Sequence, residues 1–510
     1  METLNKGQVK AMKVLKSGKN VFLSGEAGTG KSYVLNQFIK ESRKKNILVC
    51  APTGIAAINV HGSTLHRVFK VPIEPISPWK NPIKTSDAIQ EADIIIIDEI
   101  SMCRFDCFEY VAKAIRLAER EMQSKINKKA AVMGVTPNKT ATKQLIVVGD
   151  FFQLPPVITE KDRTVLEKYW GKEFNVGDGF AFQAPMWNDF DFVTIVLDEV
   201  MRQKNLDFVT NLNKVRCGDG TALAWFNEKA AKQKQKGIYL CTTNKAAASL
   251  NAVEAGRLKG KSKIYRASIS GTVTPSDKMT DDELELKVGM QVMSLVNDPN
   301  NRYQNGSIGT VKSLGVRSAT VQFDELVEME PFRWEIIDYK IIETEDKSKN
   351  KVEKVVTGSF EQIPLKIAYA ITIHKSQGQT YDAANVEPAC FAPGQLYVAL
   401  SRIKTVKKLH LEAKIKPQNL ITSQIVLNFY KHGITQYDPI DFVTETTSLK
   451  ENITEAESSV VTEKKDGRGG HRKGAGRRRK YGEGVETCTI RIPKSAKDAV
   501  LEFLTSREWD

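Results

Sequence analysis

Eight residues constrain this chain more than any others: Gly25-Glu26-Ala27-Gly28-Thr29-Gly30-Lys31-Ser32, placed directly after the apolar run Val21-Phe22-Leu23. The spacing G-x-x-x-x-G-K-[ST] between a strand and a helix is that of a phosphate cradle. Glycines let the backbone turn tightly enough to aim successive N–H groups at an anion. A helix starting near Lys31 adds its positive dipole end, Lys31 pairs with the β- and γ-phosphates, and Ser32 can ligate Mg²⁺. Residues 33–40 read as that helix. Gly25, Ala27, Gly28, Thr29, Gly30, Lys31 and Ser32 are therefore the expected contacts of a nucleoside triphosphate.

Strand-then-helix alternation surrounds this loop. Residues 46–50, 92–97 and 144–148 are short, β-branched and apolar throughout, like strands buried on both faces of a parallel sheet. Each ends in a polar or Gly/Pro-rich segment, the place where such sheets bind ligands. The pattern predicts a second α/β region starting around 194–197 and continuing through 237–241 and 366–371. Between 286 and 363, short alternating segments (291–295, 309–314, 319–323, 333–339) are separated by Gly, Asn and Asp, which predicts a small antiparallel β-barrel inserted into the second domain. The expected class is α/β, with domains over 1–198 and 199–440 and an insertion over 286–363. A linker and basic tract over 441–485 precede a strand–helix module over 486–510, too small to fold alone.

At 510 residues there is room for about three cores. No run of about 18 apolar residues marks a membrane span, and the first residues are no secretory signal. Seven scattered cysteines fit reduced thiols in a cytoplasm, bacterial or phage-infected; Cys103 and Cys107 are expected on one helix, without the partners a metal site needs. The net charge of +14 suggests a polyanionic partner, but residues 464–480 alone hold nine Lys/Arg against one acid, Asp466. The body is only mildly basic, so its case for nucleic acid rests on motifs.

Asp98 and Glu99 follow the strand 92–97. A carboxylate facing the phosphate loop across the sheet can hold Mg²⁺, and its neighbour can polarise the attacking water. Asp98 takes the metal role and Glu99 the general-base role; an acidic turn after a buried strand is the plainer alternative. Gly149-Asp150-Phe151-Phe152-Gln153-Leu154-Pro155-Pro156 ends the next strand and would set the Gln153 amide beside the γ-phosphate, while Gln8 can read the adenine edge.

Together these residues resemble superfamily 1B helicases, the RecD/Pif/Dda-like branch. Residues 97–102 and 149–156 resemble motifs II and III, 51–57 motif Ia, 61–66 motif Ib, 242–244 and 372–380 the strand-binding and coupling motifs, and 396–402 motif VI. The resemblance spans roughly residues 1–412. It implies two RecA-like domains with ATP at their interface, the 286–363 insertion being SH3-like, and a 5′→3′ motor on single-stranded DNA that unwinds duplex or forked DNA in replication, recombination or repair. It also implies Gly378 at the nucleotide, and Arg202 and Arg402 reaching from the second domain to the γ-phosphate; planar, always-charged guanidinium suits charge spreading over a transferred phosphoryl group. A surface salt bridge is the alternative for either arginine. The DNA track would use Pro52, Thr53, Gly54, His61, Thr64 and His66 from the first domain, and Asn244, Thr372, His374 and Lys375 from the second. Such contacts position a strand without reading its sequence. The histidines are otherwise satisfied core residues.

Two regions depart from the family pattern. Residues 69–92, the expected wedge, hold Pro72, Pro75, Pro78, Pro82 and Trp79, which argues against a regular hairpin; Trp79 either stacks on the duplex end or packs into the body. Residues 125–143 read as a surface insertion. In the tail, 467–477 resembles a minor-groove hook without its proline, and 486–510 resembles half of a ribbon–helix–helix module, so it either tethers DNA, engages a protein partner or is merely solvated. An RNA-directed translocase and a non-enzymatic loading factor are the rival functions.

Overall fold

The structure, a computed structural model, describes residues 4–432 apart from 44, 73, 78–82, 138–139, 172, 175–176, 301 and 343–350. Trp79, the linker, the basic tract and the terminal module lie outside the described residues.

Six short strands, β1 (Val21–Gly25), β2 (Ile47–Ala51), β3 (Ser63–Thr64), β4 (Ile94–Ile97), β5 (Gln144–Val148) and β6 (Val193–Leu197), all but β3 largely apolar, form one parallel sheet in the order β3-β2-β4-β5-β1-β6. β5 lies between β1 and β4, so the phosphate loop, the 98–99 carboxylates and the 149–153 turn all leave the same edge. One face packs on the helices Lys6–Lys16 and Lys31–Glu41, the other on the helix Phe105–Val132.

Several expectations need correcting. The 194–197 run does not open a second α/β region: β6 pairs with β1 from Val21↔Val193 to Gly25↔Leu197 and closes the first sheet. An apolar run fits the edge of either sheet, and the pairing partner decides. Residues 125–132 extend the 28-residue helix, and Lys143 is buried, donating to the Gln90 and Ala92 carbonyls at 2.5 and 2.8 Å, so 125–143 is not simply a surface insertion. Cys103 precedes that helix, which contains Cys107. In the wedge region, Val71, Ile76 and Ser77 are buried, and Ile76 N donates to Asp106 at 2.8 Å, which ties the segment into the first core.

In the second half, β7 (Ile238–Cys241) is followed, among the described residues, by ten antiparallel strands: β8 (Lys263–Arg266), β9 (Ser268–Gly271), β10 (Glu283–Leu286), β11 (Gln291–Ser294), β12 (Ile308–Leu314), β13 (Ala319–Gln322), β14 (Leu326–Met329), β15 (Phe332–Ile342), β16 (Lys351–Gln362) and β17 (Leu365–Ile367). They make sheets ordered β14-β13-β12-β11-β17, β15-β16-β9 and β10-β8. The antiparallel region is thus wider than 286–363. Then β18 (Ala370–Thr372), β19 (Ala384–Val386) and β20 (Leu409–Leu411) join β7 in a second parallel sheet, β18-β7-β19-β20. The β15–β16 hairpin reaches the first half, where the Tyr339 hydroxyl bonds both Val49 N and Val49 O at 3.0 Å.

The chain then returns. Helix Gln424–His432 buries Val426 and Tyr430 among Phe22, Phe151 and Phe152 of the first core, which corrects the expectation that residues up to 440 belong to the second domain. Tyr430 stacks on Phe152 at 4.9 Å, and its hydroxyl bonds Ser24 Oγ at 2.7 Å, just ahead of the phosphate loop.

Candidate active site

The loop after β1 turns at Gly25, Gly28 and Gly30, all with positive φ. Gly28 has φ +88°, and a Cβ there would lie 2.6 Å from Arg202 Cβ, so only glycine lets the segment after β6 lie against the loop. Lys31 opens the helix, and its ammonium donates to Gly25 O at 2.8 Å and Glu26 O at 2.9 Å. Burial lowers its pKa. Ser32, next along, is exposed. Thr29 Oγ1 donates to Glu26 O at 3.0 Å. Gln8 is buried against the loop, donating to Thr29 O at 3.2 Å while its Oε1 accepts from Asn5 N at 3.2 Å in a helix cap. Its amide is engaged at both ends by protein, which leaves an adenine edge without direct support.

Asp98 is buried, and its Oδ1 accepts from Glu99 N at 2.8 Å. Burial and the Glu99 charge push its carboxyl pKa up, a cost that a divalent cation would remove. The donor set of Asp98 and Ser32 therefore fits Mg²⁺. Glu99 sits in left-handed backbone at φ +51°. Gln153 is buried, its N donating to Asp150 O at 2.9 Å and its Nε2 lying 3.5 Å from Asp150 Oδ2.

Residues from both sheets meet around one cavity of about 1060 Å³. Ala27, Gly28, Gly30, Lys31, Ser32, Asp98, Glu99 and Gln153 line it from the first half; Gly378, Tyr381 and Arg402 line it from the second. Arg402 is 1% exposed and bonds Val398 O at 2.9 Å, Gln379 O at 3.2 Å and Ser376 O at 3.4 Å. Arg202 bonds Ser401 O at 3.0 Å. It lies on the segment that crosses from β6 towards the second half, where Met201 N donates to Gly28 O at 2.8 Å and Gln203 Nε2 donates to Ile403 O at 2.9 Å. Burial and the Arg402 charge push Arg202 down to about 9. Burial likewise lowers Arg402. Among the described residues neither arginine makes an ion pair, which disposes of the salt-bridge alternative. A buried and a half-buried guanidinium group, neither ion-paired with a carboxylate among the described residues, suit an incoming polyanion.

The strand candidates divide similarly. Thr53 and Thr64 each cap a helix, with Oγ1 accepting from Ala56 N and Arg67 N at 3.3 Å. Their hydroxyl protons remain to donate. Pro52 and Gly54 flank Thr53 and are half-buried. His61 is exposed at φ +50°, so it is no core histidine; His66 and His374 are half-buried, and burial lowers their pKa. Asn244 and Lys375 are exposed, while Thr372 is buried, with Oγ1 accepting from Lys375 N at 3.4 Å.

Sequence reasoning missed four residues. Tyr397 Oη accepts from Ala27 N at 2.8 Å, and Gln377 Nε2 donates to Glu99 at 3.0 Å; both stand inside motifs already quoted but carry no periodic signal. Arg216 pairs with Asp150 at 2.9 Å, buried and 4.3 Å over the Phe152 ring, and Asn213, one turn earlier, bonds Glu26 of the loop. Nothing local in 206–217 distinguishes these two from an amphipathic helix.

A family description, PIF1-like helicase, matches residues 3–220. The chain is similar to the ATP-dependent DNA helicase Pif1 of Bdellovibrio bacteriovorus, 31% identical over 447 residues, covering 84% of this chain and 92% of the relative. It is also similar to Bacteroides sp Pif1 solved with ADP-AlF4 (TM-score 0.71) and bound to single-stranded DNA (TM-score 0.59), each 31% identical and covering 84% of this chain and 97% of that one. With the phosphate loop, the paired carboxylates and two arginines around one cavity, and with these likenesses running through both halves, the chain belongs to the PIF1-like helicase family.

Proposed function

We propose that this chain is an ATP-dependent DNA helicase that moves 5′→3′ along single-stranded DNA and unwinds duplex and forked DNA in replication, recombination or repair. One observation carries the reading: triphosphate-binding groups of the first parallel sheet and Arg402 of the second half line the same cavity. In this reading the two parallel-sheet units are RecA-like and the antiparallel insertion is SH3-like. Gly25, Ala27, Gly28, Thr29, Gly30 and Lys31 grip the phosphates of ATP, and Gly378 approaches them from the other wall. Ser32 and Asp98 hold Mg²⁺, which when bound neutralises phosphate charge. Glu99 accepts a proton from the attacking water, Gln153 senses the γ-phosphate, and Arg202 and Arg402 stabilise the charge that develops on it. Turning Arg402 from the carbonyls of 376 and 379 onto a phosphate links hydrolysis to movement of the segment bearing Thr372, His374 and Lys375. The relatives' solved complexes with ADP-AlF4, single-stranded DNA and forked DNA support the substrates. The six described cysteines, all buried and free, support a reducing, cytoplasmic compartment. The basic tail is assigned to DNA tethering or a protein partner.

Forked DNA with a single 5′ or 3′ tail tests this directly. Unwinding of the 5′-tailed substrate alone, with ATPase stimulated by oligo-dT over oligo-U, is expected. Unwinding only from a 3′ tail, or equal stimulation by RNA, would overturn the assignment of polarity or substrate.

A further inference from the structure

Glu99 is held by a residue of the other half. Its Oε2 accepts from Gln377 Nε2 at 3.0 Å, 278 positions along the chain. A carboxylate only accepts, so the amide must present its nitrogen and turn Oε1 away. That Oε1 is buried and has no hydrogen-bond partner among the described residues. The bond to Glu99 is the one hydrogen bond that the Gln377 side chain makes among them. Leaving an amide oxygen buried and unsatisfied is unfavourable.

The surroundings tie this contact to the strand candidates of both halves. Gln377 follows the single turn His374–Ser376, two residues after Lys375, and Ser376 O accepts from buried Arg402 at 3.4 Å. Gly378, at φ +77°, comes so near that a Cβ would stand 4.0 Å from Glu99 Oε1 and 3.8 Å from Asn59 Nδ2. Asn59 ends the helix Gly54–Asn59, which Thr53 caps. Segments bearing strand candidates from each half thus meet at Gly378, beside the Glu99 carboxylate.

We infer that Gln377 is a positioning residue for Glu99: it fixes the carboxylate for the attacking water, and so makes hydrolysis answer to the strand held by 372–375. This rests on the general-base role given to Glu99 above. The test compares Gln377→Ala, the near-isosteric Gln377→Glu and Glu99→Gln in the full chain. Read-outs are kcat and KM of the oligo-dT-stimulated ATPase and oligo-dT Kd by fluorescence anisotropy.

Gln377→Ala should lower stimulated kcat by about tenfold or more, with KM and Kd within about threefold. Gln377→Glu sets a second carboxylate against Glu99 in place of the donated amide hydrogen, and should likewise lower stimulated kcat by about tenfold with Kd within about threefold. A wild-type stimulated kcat in Gln377→Ala overturns the inference. If Gln377→Ala fails to fold, as seen in its thermal melt, a wild-type stimulated kcat in Gln377→Glu overturns it instead. A Glu99→Gln enzyme that still turns over at the wild-type rate sinks the general-base reading itself, whereas a dead Glu99→Gln beside a normal Gln377→Ala sinks only this inference.

Discussion

Replacing Arg216 by Met removes half of the buried pair with Asp150, whose side chains are 1% and 0% exposed. At 2.9 Å the charges attract by about 6 kcal/mol for an effective dielectric near 20. Desolvation offsets much of that, and removing one partner of such a pair costs roughly 3–5 kcal/mol, because a buried charge is left alone. Here the stranded carboxylate keeps hydrogen bonds from Phe152 N at 3.2 Å and Gln153 Nε2 at 3.5 Å, which argues for the lower end, about 3 kcal/mol. For a urea m-value near 3 kcal/mol/M, the midpoint should fall by about 1 M. Asp150→Asn combined with Arg216→Met should recover at least half the loss, since no unpaired charge then remains. Urea titrations of the two single variants and the double, followed by tryptophan fluorescence and circular dichroism, close the cycle. A midpoint for Arg216→Met within about 0.3 M of wild type, or a double variant no better than that single one, would refute the reasoning.

Lys31→Ala should abolish hydrolysis, while Arg402→Ala should keep ATP binding and stop turnover; fluorescent-nucleotide binding beside steady-state ATPase separates the two. The raised Asp98 carboxyl binds a proton in the folded protein at pH values where the unfolded chain has lost it. Nucleotide-free stability should therefore fall as pH rises through that interval above the ordinary carboxylate range, and Mg²⁺–nucleotide affinity should rise across it. Asp98→Asn should flatten both in pH-dependent melts and titrations. Tyr430→Phe strands the fully buried Ser24 hydroxyl and should cost about 1–3 kcal/mol in thermal unfolding, with KM for ATP little changed.

The first parallel sheet was legible because its strands are buried on both faces: 46–50, 92–97 and 144–148 appear as β2, β4 and β5 within two residues at each end. Such runs say little about partners, which is why 194–197 pointed to the wrong sheet. The phosphate loop and the 98–99 carboxylates were legible because their chemistry requires fixed residue types at fixed spacing. Gln377 and Tyr397 stood in recognisable motifs, yet their partners, Glu99 and Ala27, lie hundreds of positions away. Arg216 was invisible for a further reason: in sequence it is one more basic residue on a helix, and only folding sets it against Asp150. The return of 424–432 to the first core was hidden by its apolar spacing, which fits any neighbouring surface.

That return has a mechanical result. The backbone passes from one wall of the cleft to the other after Leu197 and comes home before Gln424, with Tyr430 locked behind the strand that feeds the phosphate loop. The walls thus share two covalent tethers. Any change in the cleft is therefore felt at both crossings, one leaving the strand beside the phosphate loop and the other ending in the helix packed behind it.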